Sequence, residues 1–99
     1  MVTGTILTCC ENKKARKPSY ILEIDFGPEW GTKTSSAQIT DLYDLDTLIG
    51  KQVTAVINFP PMRIAGVKSE VLVLGAPDEN GSVVLLHPER NVKNGVRVF

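Results

Sequence analysis

Five cations and five small polar side chains make up most of the chemistry this chain carries. Arg16, Lys17, Lys33, Arg63 and Lys68 supply positive charge, and Ser35, Ser36, Gln38, Asn58 and Ser69 supply neutral donors. That mixture suits phosphate: Lys and Arg bring charge, while hydroxyl, amide and backbone N–H groups bring direction. The same residues also have ordinary uses. Solvated charges cover every surface, and Asn58 and Ser69 can brace a loop through its backbone.

Catalytic chemistry is poorly supplied. His87 in "LLHPER" ends an apolar run before Pro88 and is the only histidine. Ser35-Ser36 lacks the glycines of a nucleophile elbow, and no P-loop, dinucleotide fingerprint or kinase element is present. Asp41, Asp44 and Asp46 read as acids at a capped, solvated helix start rather than as metal ligands. Cys9 and Cys10 are neighbours, so on a strand they point to opposite faces. Two thiols make no disulfide framework, and a zinc site needs about four ligands. No catalytic residue, metal or cofactor is expected.

The composition is that of a folded domain. Ninety-nine residues, 42% hydrophobic and 22% charged, predict one domain over residues 1–99 with a single core. Eleven basic residues balance eleven acidic ones, which argues against coating nucleic acid by bulk attraction. Distribution matters more than the sum. Lys13, Lys14, Arg16 and Lys17 form one basic cluster and Arg63 and Lys68 another, while Asp41, Asp44 and Asp46, and Asp78 and Glu79, gather elsewhere. "VLVLG" and "VVLL" are too short to span a bilayer. "MVTGTILTCC" has neither the basic start nor the long apolar stretch of a signal peptide. The expectation is a cytoplasmic protein without membrane insertion.

Strands must position these groups. In "SYILEIDF", Tyr20, Leu22, Ile24 and Phe26 share one face and Glu23 and Asp25 the other, the alternation of a half-buried strand. "KQVTAVINF" repeats it, with Val53, Ala55, Ile57 and Phe59 opposite Gln52, Thr54 and Asn58. "GTILTC" and "TKTSSAQI" are weaker strands. In "TDLYDLDTLIG", Leu42, Leu45, Leu48 and Ile49 have helical spacing, Thr40 or Asp41 can cap the start, and Gly50 suits the end. "NFPPMRIAGVKSE" reads as a long loop, stiffened by Pro60 and Pro61 and turned by Gly66. "EVLVLGA" and "SVVLLH" follow, joined at Asn80-Gly81, a strong hairpin signal. Both are apolar on both faces, and a second copy of the chain is the economical cover for the outer face. "GVRVF" reads as a last short strand. This order matches an OB-fold; an SH3-like barrel and a split-sheet α+β domain remain open on periodicity alone.

The blocks "ARKPSYILEIDFG", "SSAQIT", "LIGKQVTAVINFPP", "KSEVLVLGAPDENGSVVLL" and "NGVRVF", in this order, resemble the CsaA-like tRNA-binding domain family. That family is related to the C-terminal tRNA-binding domain of bacterial methionyl-tRNA synthetase. The resemblance covers nearly the whole chain. It implies a mainly β fold, namely a five-stranded OB-fold Greek-key barrel with one short helix, extra C-terminal strands and a dimeric state. It also implies a non-catalytic protein that binds tRNA by shape and backbone. Carried over by motif, the RNA-contacting positions are Ser35, Ser36 and Gln38 in "SSAQ" and Asn58, Arg63 and Ser69 in the long loop. Lys33 and Lys68 flank them, and Arg16 and Lys17 lie in "ARKP". Arg63 is the foremost of these. The family carries a further segment before the strand that here begins at "MVTGTI", a segment that packs across its dimer.

Three functions follow as expectations. The first is a homodimer that binds tRNA. The second is a chaperone-like protein that binds unfolded precursor polypeptides, or the machinery that exports them, in an apolar groove near the dimer seam. The third is a cofactor that delivers tRNA to a synthetase.

Overall fold

The computed structural model describes residues 1–14, 16–58, 62–64 and 66–99, and of residues 62–64 and 67 the backbone alone. Phe59, Pro60 and Pro61, to which the sequence assigns a strand face and a stiffened loop, lie outside the described residues.

The longest strand, β1 (Val2–Glu11), organises the rest. Val2, Gly4 and Ile6 alternate into the interior, and then one extra residue breaks the period. The ladder with β2 (Tyr20–Asp25) pairs Ile6 with Ile24 but Thr8 with Glu23, which leaves Leu7 as a bulge. An extra residue flips every later side chain to the other face. Cys9 therefore follows Ile6 towards the core, while Cys10 is exposed; both thiols are free.

β2 pairs on its far side with β3 (Thr32–Ala37), and the start of β1 pairs with β4 (Gln52–Val56). β7 (Leu72–Val73) adds to β4. The order β3-β2-β1-β4-β7 makes a nearly closed five-stranded antiparallel barrel. Its interior is one apolar cluster in which Ile6, Leu22, Ile24, Phe26, Leu48, Val53 and Val71 are fully buried. β1 and β2 can approach closely because residue 4 lacks a side chain. A Cβ on Gly4 would stand 2.7 Å from Ile24 Cγ2 and from the Phe26 ring.

Several elements differ from the sequence reading. The helix expected over residues 40–50 shrinks to one turn, α2 (Leu45–Leu48), and a second single turn, α1 (Gly27–Trp30), precedes β3. The Tyr43 carbonyl, which a longer helix would use, accepts from the Tyr20 hydroxyl at 2.8 Å. Thr47 Oγ1 donates to the Asp44 carbonyl at 2.9 Å and so fixes the start one turn later. Leu42, counted on the apolar face, is exposed.

The segment read as a long loop contains a two-stranded ribbon, β5 (Met62–Ile64) and β6 (Val67–Ser69). "EVLVLGA" splits at Leu74. Its N–H donates to the Thr54 carbonyl at 2.9 Å and its carbonyl accepts from Leu86 at 3.1 Å, which carries the chain out of the sheet. The hairpin of β8 (Gly75–Pro77) and β9 (Val83–Leu85) follows, closed as expected around Asn80-Gly81.

"GVRVF" makes only an isolated bridge, Val2 with Arg97. β2 occupies that edge of β1 from Thr5 onward, so little of it is left to pair. Thr3 instead straps the tail through Val96, Gly95 and the Lys93 carbonyl. Among the described residues, no helix is long and apolar enough to cross a membrane.

Gly4→Ala forces a methyl group into that contact. Urea unfolding should show a loss of about 1–3 kcal/mol, the usual cost of overpacking, with an unchanged m-value.

Candidate nucleic-acid interface

β3 and β7 stand at the two ends of the strand order, and side chains bridge the gap between them. The Glu70 N–H donates to the Thr34 carbonyl at 2.8 Å, and the Thr34 N–H donates back to Glu70 Oε1 at 3.2 Å. The Ser36 N–H donates to Ser69 Oγ at 3.3 Å, and Ser69 Oγ donates on to the Val71 carbonyl at 3.3 Å. Ser35 Oγ reaches the same carbonyl at 3.1 Å. The blocks "SSAQ" and "KSEV", 33 residues apart, thus form the closing seam of the barrel.

This seam sorts the ten residues selected from the sequence. Ser35 pairs with Leu22 in the ladder, faces the interior and is 1% exposed. Ser69 is also buried. In this structure both hydroxyls hold the seam. Ser36 is half-buried beside it, and Gln38, Lys68, Arg16 and Lys17 are exposed. Lys33 pairs with Ile24 at the opposite end of β3. Four positions from Ala37, it is about 13 Å away along the strand. Asn58 lies at another end again, lining a hollow of about 330 Å³ with Trp30, Ile57 and Arg97.

Two basic clusters, far apart in sequence, come together. Register sets Arg63 directly opposite Lys68 on the β5–β6 ribbon. At its turn Gly66 has φ +82°, a left-handed conformation that favours glycine, and the Lys14 side chain would lie 3.4 Å from a Cβ placed there. The β1–β2 loop, residues 12–19, and the ribbon therefore meet. Lys14 belongs to the first cluster, and only folding brings it to the Gly66 turn of the ribbon that carries the second.

Among the described residues the only ion pair joins Arg90 to Glu89. Glu70, the acid nearest Lys68 in sequence, is occupied by the Thr34 N–H. Like charges directly opposite on a ladder cost stability, and a bound anion offsets that cost.

Two groups below the β1–β2 loop stay protonated at neutral pH. Burial pushes the Cys9 thiol up, helped by the neighbouring Cys10 and Asp46; its Sγ donates to the Leu45 carbonyl at 3.1 Å. Burial also raises Tyr20, with Asp44, Glu11 and Cys9 adding to the shift. Among the described residues, no nucleophile and base are in hydrogen-bond contact here. The arrangement does offer an exposed basic surface framed by hydroxyl, amide and backbone donors.

A family model described as "Putative tRNA binding domain" matches residues 1–97. The methionine–tRNA ligase of Bacteroides fragilis is 37% identical over 95 residues, which cover 96% of this chain and 14% of the ligase. The chain thus spans a small fraction of the curated relatives it matches. Among solved structures, the chaperone CsaA of Bacillus anthracis superposes with a TM-score of 0.92 at 54% identity, over 99% of this chain and 88% of that one. The CsaA chaperone protein of Picrophilus torridus gives 0.91 at 47% identity, over 98% and 88%.

Ser35→Ala should lower stability by about 1–3 kcal/mol, because it removes a buried hydrogen bond. Gln38→Ala, on the surface nearby, should stay within about 0.5 kcal/mol of the wild type. Thermal and urea unfolding of the two variants check this contrast.

Proposed function

The chain belongs to the tRNA-binding domain family, and on that premise we propose that it is a non-catalytic module that binds tRNA by shape and backbone. In this reading it is an OB-fold homodimer working in the cytoplasm. The observation that carries the reading is the register of Arg63 opposite Lys68 on a ribbon whose Gly66 turn meets Lys14 of the basic β1–β2 loop. OB-folds bind oligonucleotides with the face of their second and third strands and with the loops after the first and fourth. Here those loops are residues 12–19 and the segment that holds β5 and β6. Arg16, Lys17, Arg63 and Lys68 contact phosphates, Ser36 and Gln38 add neutral donors, and Ser35 and Ser69 keep the seam that positions them. Lys33 and Asn58 mark a second, outlying contact.

Net charge is zero, so attraction is local and short-ranged. Fluorescence anisotropy of labelled bulk tRNA at several salt concentrations tests the reading. With roughly four to six phosphates neutralised, affinity should fall about a hundredfold or more between 50 and 200 mM salt. An unstructured RNA of equal length should compete poorly. Arg63→Glu should weaken binding at least about tenfold and flatten the salt slope by about one contact. If no tRNA binds at low salt, the reading fails.

The homodimer rests on the outer face of the C-terminal strands. Leu72 is 54% exposed and Leu86 46%, with Val84 exposed as well. Large apolar side chains exposed on neighbouring strands mark an interaction site. Sedimentation equilibrium should give twice the chain mass, and Leu86→Asp should shift it to one. A single-chain mass for the wild type would leave that face without a second copy.

One observation favours a second reading, binding of unfolded polypeptides. The gap between the end of β3 and the β8–β9 hairpin forms a groove of about 300 Å³ lined by Leu72, Val73, Ala76, Pro77, Val83 and Leu85. Both solved relatives described above bear the name chaperone. Retention of a permanently unfolded polypeptide by Arg63→Glu, with no response to salt, would support this role beside or in place of the first.

A further inference from the structure

At the root of the β1–β2 loop lies a cavity of about 350 Å³, lined by Glu11, Asn12, Lys13, Pro18, Ser19, Tyr20 and Thr40. Its volume is at the small end of the range for ligand pockets, about 300–1,000 Å³. The root itself is fixed by hydrogen bonds. The Asn12 N–H donates to the Ser19 carbonyl at 3.0 Å, and Asn12 Oδ1 accepts from the Lys14 N–H at 3.1 Å.

Two polar groups in this wall are left over. Asn12 is 8% exposed and Ser19 5%, yet Asn12 Nδ2 and Ser19 Oγ have no hydrogen-bond partner among the described residues. The other buried polar side chains described, Thr3, Ser35 and Ser69, are all bonded. Buried unpartnered polar atoms are rare in folded proteins, and each calls for an explanation. Here both fall in one cavity.

We propose that this cavity takes a single unstacked nucleobase of bound RNA. The inference rests on the tRNA-binding reading and adds to it a contact with a base. The Asn12 amide donates to the base edge, and the Ser19 hydroxyl donates or accepts as the edge requires. Pro18, exposed at the rim, offers apolar surface to one of its flat faces. Lys13, Lys14, Arg16 and Lys17, exposed on the loop above, hold the phosphates on either side. An apolar occupant would leave both polar groups unmet, and a bare phosphate, though it could accept from both, would leave most of a cavity of about 350 Å³ unfilled. Proteins commonly read RNA through splayed-out bases of this kind. Nδ2 and Oγ are closed to solvent in the free protein. The base therefore reaches them as the loop eases outward, and binding supplies the partners that the free state lacks.

Two measurements test the proposal. In the first, ¹⁵N-labelled protein is titrated with AMP, GMP, CMP and UMP, and separately with ribose 5-phosphate. At least one nucleotide should shift the Asn12 side-chain amide and the Ser19 backbone amide saturably, and ribose 5-phosphate should not. Equal shifts with ribose 5-phosphate, or no shift at these two groups, overturn the base pocket. In the second, Ser19→Ala is compared with wild type. The variant should keep its Tm, because the lost hydroxyl had no partner, and should lose about tenfold in affinity for bulk tRNA with the salt slope unchanged. A lowered Tm would assign the hydroxyl to a structural water and overturn the proposal. Unchanged tRNA affinity would overturn it too, while leaving phosphate-based tRNA binding intact. If wild type binds no tRNA but the mononucleotides still shift Asn12, the pocket stands and the tRNA reading falls.

Discussion

The barrel closes on side chains at its last gap. Between β3 and Val71 the ladder gives way to a relay in which Ser69 accepts from Ser36 and donates to Val71, while Ser35 donates to the same carbonyl. Glu70 and Thr34 complete it with a reciprocal pair. Ser35, Ser69 and Val71 are buried, so a partner lost there would leave another group unsatisfied. The β5–β6 ribbon enters the fold through Ser69, and its placement depends on that relay. The position of Lys68 and Arg63 relative to the β1–β2 loop is set there.

A neutral protein can still present a strongly positive surface if its acids are used elsewhere. Glu70 serves a backbone N–H of β3. Asp78 closes the β8–β9 turn by accepting from Asn80 and Ser82, and Asp25 accepts from the Gly27 N–H. Backbone N–H groups fix these acids in turns and at the seam, and composition does not disclose those places.

The bulge at Leu7 has a comparable reach. It switches the parity of β1, so the half that pairs with β4 and the half that pairs with β2 both present apolar residues to one core. Without it Thr8 and Cys10 would face inward. Alternation in "GTILTC" is blurred for this reason, and the strand reads weakly although it is the longest of the barrel. The helix between β3 and β4 misleads in the opposite direction. Its apolar spacing is clear, but Tyr20 takes the Tyr43 carbonyl and leaves room for a single turn.

By itself the sequence determined the strands whose two faces differ, Tyr20–Asp25 and Gln52–Val56, and, from its turn residues, the hairpin around Asn80-Gly81. Strict alternation and turn chemistry are local, and they need no distant partner to be read. It also determined the family, through blocks spread along the chain, and the residue types suited to phosphate. Only the tertiary structure decided which of those residues are free to bind. Ser35 and Ser69 look identical to surface donors in the sequence, and burial across a seam 33 residues wide turns them into closures. Lys14 gained its place beside Gly66, and Asn12 and Ser19 their shared cavity, because contacts between distant segments depend on where the chain returns, which residue types alone do not specify.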